Sequence, residues 1–193
     1  MTTETLPTRA GAPTVLIVPG LRGDVAEHWQ VHLQARLPGA VSVPTLGEHE
    51  RLSCAAQVAS LDAALVRITA PVILVAHSGG VITVAHWARN HARAIHGALL
   101  AAPPDFDSPL PAGYPSQDLL RRGGWLPVPR MRLPFPHIVA ASDDDPLARK
   151  ARVIGLAQDW GSQVVEVGAV GHLNPASGYG YWPRAEALIQ QLI

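Results

Sequence analysis

Short, continuous runs of apolar residues alternate along most of the chain with longer segments of helical periodicity. A strand buried on both faces needs an unbroken apolar run, whereas a helix packed on a sheet repeats its apolar residues every three or four positions. Runs of the first kind predict strands at residues 14–18, 41–43, 72–76, 97–101, 137–141 and 163–167. Helical patterns occupy the intervals, at residues 25–37, 53–68, 79–92 and 146–159, and a last helix is predicted to open at Pro183.

The β-α-β-α order of these segments predicts an α/β fold with about six mostly parallel strands between layers of helices. Crossovers between parallel strands are right-handed, which leaves few possible topologies. In sheets of this kind, ligands bind beyond the carboxyl ends of the strands. Residues that directly follow a predicted strand are therefore the first candidates for a functional site.

One segment, residues 103–136, interrupts this alternation. It holds nine of the chain's 18 prolines, which are incompatible with a long helix or a central strand. Aromatic side chains recur along it, namely Phe106, Tyr114, Trp125 and Phe135. A loop of this length is unusual in a compact domain unless it covers something, so it is either a surface excursion or one wall of a substrate pocket. We expect Trp125 and Phe135 of this segment, together with Leu21 from an earlier loop, to contact the substrate.

The composition supports one compact domain. Of the 193 residues, 48% are apolar and 16% charged, which is enough apolar material for a buried sheet. Fifteen basic residues balance fifteen acidic ones, so no strong field attracts nucleic acid or an anionic membrane. The expected partner is a small uncharged molecule, and the sequence leaves the oligomeric state open.

The compartment is predicted from what the sequence lacks. The single cysteine, Cys54, excludes an internal disulfide and a multi-cysteine metal site. The first residues lack the charged start and apolar run of a signal peptide, and no stretch reaches the roughly 18 apolar residues of a membrane span. We expect a cytoplasmic protein with a poorly ordered extension over residues 1–12 and one domain over residues 13–193.

Residues 76–80, Ala-His-Ser-Gly-Gly, join a predicted strand to a predicted helix. The Gly-x-Ser-x-Gly pattern places a serine nucleophile on a sharp strand-to-helix turn, where the neighbouring side chains must be small. Ala76 is the least bulky departure from that pattern, so Ser78 is predicted to be a nucleophile. The alternative is a serine that caps the following helix.

A serine nucleophile needs a histidine base within hydrogen-bond reach and an acid that orients the histidine. On this scaffold the chain order is serine, acid, histidine. His172 follows the last predicted strand, and the cluster Asp143-Asp144-Asp145 follows the strand before it. We expect Asp145 to be the acid, with Asp144 second. A solvated or helix-capping cluster and a metal site are the alternatives for the aspartates.

The negative charge of a tetrahedral intermediate needs backbone N–H donors that are already in place. We expect the N–H groups of Gly79, directly after the serine, and of Leu21, in the glycine-rich loop after the first strand, to be these donors. That loop lacks the patterns of nucleotide-binding loops. His28 and His32 have a metal-ligand spacing without a third ligand in the motif, so no metal or other cofactor is expected.

Motifs spread over nearly the whole chain carry a family resemblance. They are residues 18–21 (Val-Pro-Gly-Leu) with 27–29 (Glu-His-Trp), 76–80, 133–136 (Leu-Pro-Phe-Pro), 144–146 (Asp-Asp-Pro) and 171–178. Together they resemble the small serine hydrolase family that includes retinoblastoma-binding-protein-9-like hydrolases and their bacterial relatives. The resemblance implies a single-domain, α/β-hydrolase-like three-layer sandwich without a large lid. It also assigns the triad to Ser78, Asp145 and His172.

The resemblance does not extend to one partner. The family's animal member is associated with the retinoblastoma protein through a Leu-x-Cys-x-Glu motif. Residues 52–56 read Leu-Ser-Cys-Ala-Ala, with alanine where glutamate is required, so this partner is not implied.

Residues and resemblance together predict a serine hydrolase that cleaves acyl bonds, as a carboxylesterase on small uncharged esters, through a covalent acyl-enzyme. The alternative is a catalytically weak binding protein on the same fold, which the Ala76 departure favours. Dehalogenases and epoxide hydrolases need a carboxylate at the position of Ser78. Thioesterase or peptidase activity is compatible with the same triad, and the natural substrate and acyl size stay open.

Overall fold

The computed structural model describes residues 11–23, 25–90 and 92–193. Of the extension predicted over residues 1–12, residues 1–10 lie outside the described part, and the domain boundary at residue 13 stays a prediction. The strands are β1 (Thr14–Val18), β2 (Val41–Ser42), β3 (Val72–His77), β4 (Gly97–Ala101), β5 (His137–Ser142) and β6 (Gln163–Gly168). The α-helices are α1 (Trp29–Arg36), α2 (Cys54–Val66), α3 (Gly79–Ala88), α4 (Gln117–Arg122), α5 (Lys150–Trp160) and α6 (Pro183–Gln190), and a 3₁₀-helix covers Pro175–Ser177.

The strands form one parallel sheet in the order β2-β1-β3-β4-β5-β6. This confirms the predicted α/β fold with about six mostly parallel strands. The chain winds outward in both directions from the β1–β3 pair, which is where such sheets bind ligands. Val18 pairs with Ala76 in the register of β1 and β3. The loop after β1 and the turn after β3 therefore leave the sheet side by side.

Two layers of helices cover the sheet, because alternate strand residues point to opposite faces. On one face, Leu16 and Leu74 belong to an apolar cluster with α2, α3 and α5. On the other, Ile17 and Ile73 pack with α1 and α6. This is the three-layer arrangement expected from the sequence. No helix in the described part of the chain is long and apolar enough to cross a membrane.

Two helices begin four residues later than periodicity predicted, and in both cases a side chain holds the preceding backbone in another conformation. Helix α1 begins at Trp29 because His28 caps it, its Nδ1 accepting from the N–H of Gln30 at 3.2 Å. Helix α5 begins at Lys150, since Asp145 Oδ1 accepts from Leu147 N–H at 2.8 Å and forms a turn there. Both displaced segments lie at the carboxyl edge of the sheet.

The proline-rich segment 103–136 contains one element that the sequence analysis missed, the short helix α4. It occupies the proline-free interval between Pro115 and Pro127 and is capped by Ser116, whose Oγ accepts from Leu119 N–H at 3.3 Å. Six residues are too few to show a helical repeat of apolar positions, so periodicity could not reveal it.

The start of the same segment is tied to the domain by an ion pair. Asp105 is buried, and its carboxylate accepts from Arg152 of α5 at 2.9 and 3.2 Å and from Ser108 Oγ at 2.7 Å. Its N–H also donates to Leu147 O at 3.0 Å. Burial opposes ionisation of Asp105, but the Arg152 and Ser108 hydrogen bonds lower its pKa below the usual value. The first turn of the excursion is therefore fixed beside the loop after β5.

Candidate active site

Ser78 lies on the turn between β3 and α3 in a strained backbone conformation, with φ 54° and ψ −129°. Such a conformation costs free energy for a residue with a side chain, and it persists only where the surrounding structure enforces it. The neighbours allow it because they are small: a Cβ on Gly20 would lie 3.2 Å from Ser78 Cβ, and one on Gly80 would lie 2.4 Å from Val18 O. The Ser78 hydroxyl makes no capping hydrogen bond to α3, so the helix-cap alternative is wrong.

Three side chains from separate loops form one continuous hydrogen-bonded chain. Ser78 Oγ lies 2.8 Å from His172 Nε2, and His172 Nδ1 lies 2.8 and 3.0 Å from the two carboxylate oxygens of Asp145. A carboxylate only accepts, so Nδ1 carries the imidazole proton and Nε2 accepts from the serine hydroxyl. The ring and the carboxylate are buried, with side chains 4% and 2% exposed. Burial shields this ion-dipole contact from water.

The three adjacent aspartates after β5 point in three directions. Asp143 forms an ion pair with Lys150 at 2.7 Å. Asp144 Oδ1 accepts from Ser142 Oγ at 3.0 Å and from Gly171 N–H at 2.7 Å, so it holds the loop that carries the histidine. Only Asp145 among them contacts His172.

The loop after β6 holds His172 by its backbone. The His172 N–H donates to Ser177 Oγ at 3.0 Å, and Ser177 N–H and Oγ both donate to Asn174 Oδ1 at 3.0 Å. Gly171 has a φ of 55°, and a Cβ there would lie 2.4 Å from Ser177 Oγ, so this position requires glycine. On the other side, the His172 carbonyl accepts from His77 Nε2 at 2.8 Å.

Three histidine rings form a row, each packed on the next, and the last of them, His172, contacts Ser78. The ring of His77 lies 4.7 Å from that of His28 and 4.9 Å from that of His172, between centroids. Burial, and secondarily the nearby His172, lowers the pKa of His28 to about 4, and burial holds the pKa of His77 well below its usual value. His28 and His77 are therefore neutral at neutral pH, and each serves as a hydrogen-bonding group.

The two residues whose N–H groups are predicted to bind an oxyanion line the same cavity as the serine. Gly79 is the first residue of α3, where N–H groups have no partner within the helix. Leu21 lies in a tight turn closed by the hydrogen bond from Gly23 N–H to Gly20 O at 2.9 Å. A Cβ on Gly79 would lie 2.5 Å from Leu21 Cγ, so the two residues are in direct contact.

Ser78 and His172 open into a cavity of about 410 Å³, a volume typical of small-molecule sites. Apolar side chains from four segments line it, namely Leu21, Leu52, Phe106, Leu110 and Leu147. The loop of the histidine closes the other side with Asn174, Pro175 and Ala176. The proline-rich segment thus supplies one wall, through Phe106, Leu110 and Tyr114.

Two residues expected to contact the substrate do not line this cavity, and this is a correction to the sequence analysis. Trp125 is fully buried behind Phe106, with ring centroids 5.8 Å apart, and its Nε1 donates to Leu52 O at 2.8 Å. Phe135 borders a separate depression beside His137, at the amino end of β5. Leu21 does line the cavity. An aromatic residue in a loop is as easily a core residue as a wall residue, and spacing does not distinguish them.

One buried polar residue of the site escaped the sequence analysis. Gln30 in α1 donates through Nε2 to Val18 O at 3.2 Å and to Val75 O at 3.0 Å. It thereby satisfies carbonyls where β1 and β3 separate. The sequence gives no signal for it, because the burial of this part of α1 and the two free carbonyls are visible only in the structure.

The residues with metal-ligand spacing do not come together. His32 pairs with Glu27 at 3.3 Å on the surface, whereas His28 lines the cavity. In the described ranges, no group of three or more histidine, cysteine or acidic side chains is placed to hold a metal ion.

Solved structures share this architecture. A YdeN-like hydrolase from Pectobacterium atrosepticum is 28% identical, with a TM-score of 0.75 over 93% of this chain and 92% of its own. The ydeN gene product from B. subtilis is 19% identical, with a TM-score of 0.73 over 94% and 98% of the two chains. Est1E from Butyrivibrio proteoclasticus is 12% identical, with a TM-score of 0.65 over 95% and 86%.

Sequence comparison gives the family directly. No curated protein sequence matches the chain. The sequence model of the serine hydrolase family matches residues 15–191, which is nearly the whole length of this chain. The chain therefore belongs to the serine hydrolase family.

Proposed function

We propose that the protein is a carboxylesterase that hydrolyses small esters through a covalent acyl-enzyme. The observation that carries the proposal is the hydrogen-bonded chain from Ser78 Oγ through His172 to Asp145, which opens into a cavity at the carboxyl edge of the sheet. Serine is a weak nucleophile at neutral pH unless a base stands beside it and the base is held in one tautomer. Both conditions are supported by the distances above.

In the first step, Ser78 Oγ attacks the carbonyl carbon of the ester while its proton moves to His172 Nε2. Asp145 keeps the other proton on Nδ1 and stabilises the imidazolium that forms. The N–H groups of Gly79 and Leu21 donate to the oxyanion. His172 then returns its proton to the leaving alcohol, and the acyl group stays on Ser78.

In the second step, His172 accepts a proton from water, and the resulting hydroxide attacks the acyl carbon. Collapse of this intermediate breaks the bond to Ser78 and returns the proton to Oγ, with the acid as product. Neutral His77 supports both steps by donating to the His172 carbonyl, which anchors the loop without adding a charge beside the imidazolium.

The proposal is tested with a fluorophosphonate probe and short-chain 4-nitrophenyl esters on purified protein. The wild type should be labelled and should turn over ester, and Ser78→Ala should lose labelling and about 10³-fold or more in kcat. Ser60→Ala, on α2 and away from the cavity, is the matched control and should behave as wild type. A folded wild type that neither reacts with the probe nor hydrolyses any ester would support the alternative of a binding protein on this fold.

A further inference from the structure

The side chains that line the cavity are unbalanced in charge. Two arginines, Arg22 and Arg51, belong to the lining, and no aspartate or glutamate of the described residues does. The expectation of an uncharged ester rests on the net charge of zero, but that figure averages over the whole surface. The local field at a site follows from the charges around the site.

Arg22 is held at the cavity, and most of its donors have no partner among the described residues. Its Nη2 donates to Gly113 O at 3.0 Å, and its Cζ lies 4.5 Å from the centre of the Tyr114 ring. These contacts orient the guanidinium and take one of its five N–H groups. In the described part of the chain, Arg22 forms no ion pair with a carboxylate.

Arg51, the second arginine of the lining, forms a weak ion pair with an exposed glutamate. Its Nη2 lies 3.3 Å from Glu48 Oε1, and the Glu48 side chain is 81% exposed. A pair of this kind is screened by solvent and is easily exchanged for another anion. Arg51 therefore still adds positive potential to the cavity.

The neutral polar side chains of the lining offer donors and acceptors in similar number. His28 accepts at Nδ1 from Gln30 N–H, so its remaining proton is on Nε2. Asn174 Oδ1 is occupied by Ser177, which leaves its NH₂ group. Gln30 and His77 offer acceptors instead: the NH₂ group of Gln30 is used by Val18 O and Val75 O and its oxygen remains, and His77 donates through Nε2 to His172 O and keeps Nδ1 as an acceptor. The excess of unsatisfied donors over acceptors among the described lining residues therefore comes from the two guanidinium groups.

We propose that the ester hydrolysed at this site carries a carboxylate, and that Arg22 binds it. A carboxylate is planar and only accepts hydrogen bonds, which matches the free edge of a guanidinium and the donor excess around it. The inference rests on the proposed function, since it names the substrate class of the same site. It departs from the uncharged ester that the balanced composition suggested.

The test uses pairs of esters of similar size, in which one member carries a carboxylate and the other is neutral. For the acyl half, 4-nitrophenyl glutarate is compared with the 4-nitrophenyl ester of monomethyl glutarate. For the alcohol half, 4-carboxyphenyl butyrate is compared with 4-methylphenyl butyrate. In one of the two pairs the wild type should favour the charged member about tenfold or more in kcat/KM, mainly through KM, and 0.5 M salt should reduce the ratio. The pair in which the charged member is preferred identifies the half of the ester that carries the carboxylate.

Arg22→Gln should bring that ratio close to one, and Arg67→Gln, at the end of α2 and outside the cavity, should leave it as in the wild type. Binding gives a readout without turnover: calorimetry should show weaker binding of the charged ester to Ser78→Ala/Arg22→Gln than to Ser78→Ala. A ratio near one for both pairs in the wild type, or an equal loss on both members in Arg22→Gln, overturns the proposal.

Asp24 needs its own variant, because it is the nearest acid in sequence to Arg22 and lies outside the described residues. If Asp24→Asn acquires a preference for the charged ester that the wild type lacks, the native site is electrically neutral and the proposal is wrong. Failure of the carboxylate proposal is distinguishable from failure of the proposed esterase function. If neutral esters are still hydrolysed and Ser78→Ala abolishes that activity, the proposed esterase function stands and only the carboxylate preference is wrong. If no ester is hydrolysed, both proposals are wrong.

Discussion

At the scale of residues, the aspartates after β5 differ in the partners to which their carboxylates turn. Asp145 turns back toward Leu147 N–H and presents its carboxylate to His172, while Asp144 turns to the amide of Gly171. One aspartate thus meets the imidazole and the other holds its loop. Identical side chains one residue apart therefore have different partners.

Asparagine substitutions at these positions should separate the two roles. Asp145→Asn keeps the shape but presents an amide to Nδ1, which favours the wrong imidazole tautomer, so kcat should fall by about 10³–10⁴ with little change in melting temperature. Asp144→Asn should instead lower the free energy of unfolding by about 1 kcal/mol and kcat by a smaller factor, since one charge-assisted hydrogen bond is weakened.

Asp143→Asn is the matched control, because its ion pair with Lys150 is at the surface and contributes little. Steady-state kinetics and urea unfolding measure both quantities for all three variants. A larger loss of kcat in Asp144→Asn than in Asp145→Asn would contradict this assignment.

At the scale of elements, the β3–α3 turn depends on close packing against the end of β1. Gly80 faces the carbonyls of Val18 and Pro19, and a Cβ there would lie 2.4 and 2.5 Å from these oxygens. Ala76, two residues before the serine, is an interior residue of β3 with its methyl group in the core cluster against α2 and α3. Its departure from the motif is therefore accommodated by the sheet and involves no contact in the cavity.

Gly80→Ala should destabilise the protein by about 2 kcal/mol, because backbone atoms must move to accept the methyl group. Gly155→Ala is the matched control in α5, where a new Cβ meets nothing within 4 Å. It should stabilise the protein by about 0.5–1 kcal/mol through helix propensity. Urea unfolding measures both, and a Gly80→Ala variant as stable as Gly155→Ala would show that the turn is not tightly packed.

At the scale of the whole molecule, the row of histidines connects the layers of the fold. His28 belongs to the start of α1, His77 to β3 and His172 to the loop after β6. The His77 ring packs on the other two, and Trp29 packs on His28 and His77, so a proton on His28 or His77 is placed in a buried region where burial disfavours the charge. Acid should therefore weaken the contacts between these layers.

The sign of the pH dependence follows from the lowered pKa of His28, about 4 in the folded protein against 6.5 in the unfolded chain. Between these values the unfolded chain binds a proton that the folded protein does not, so stability is full above pH 6.5 and falls as the pH drops toward 4. His28→Asn keeps an acceptor for Gln30 N–H without titrating, and should remove at most about 3 kcal/mol of this acid-induced loss.

Urea unfolding at pH 7 and pH 4.5 measures that difference for the wild type and for His28→Asn. His49→Asn, at an exposed position, is the control and should lose stability as the wild type does. Equal losses in all three proteins would mean that His28 does not take part in the acid response.

The sequence by itself determined the strands, the turn that carries Ser78, and the order in which an acid and a histidine follow it. These features depend on local periodicity and on which residues adjoin a strand end, and residues close together in the sequence determine both. Only the tertiary structure decided which aspartate meets His172, that Phe106 rather than Trp125 or Phe135 lines the cavity, and that Gln30 joins β1 to β3. Those outcomes depend on the direction of a side chain after a turn and on contacts between distant segments, which packing of the whole chain sets.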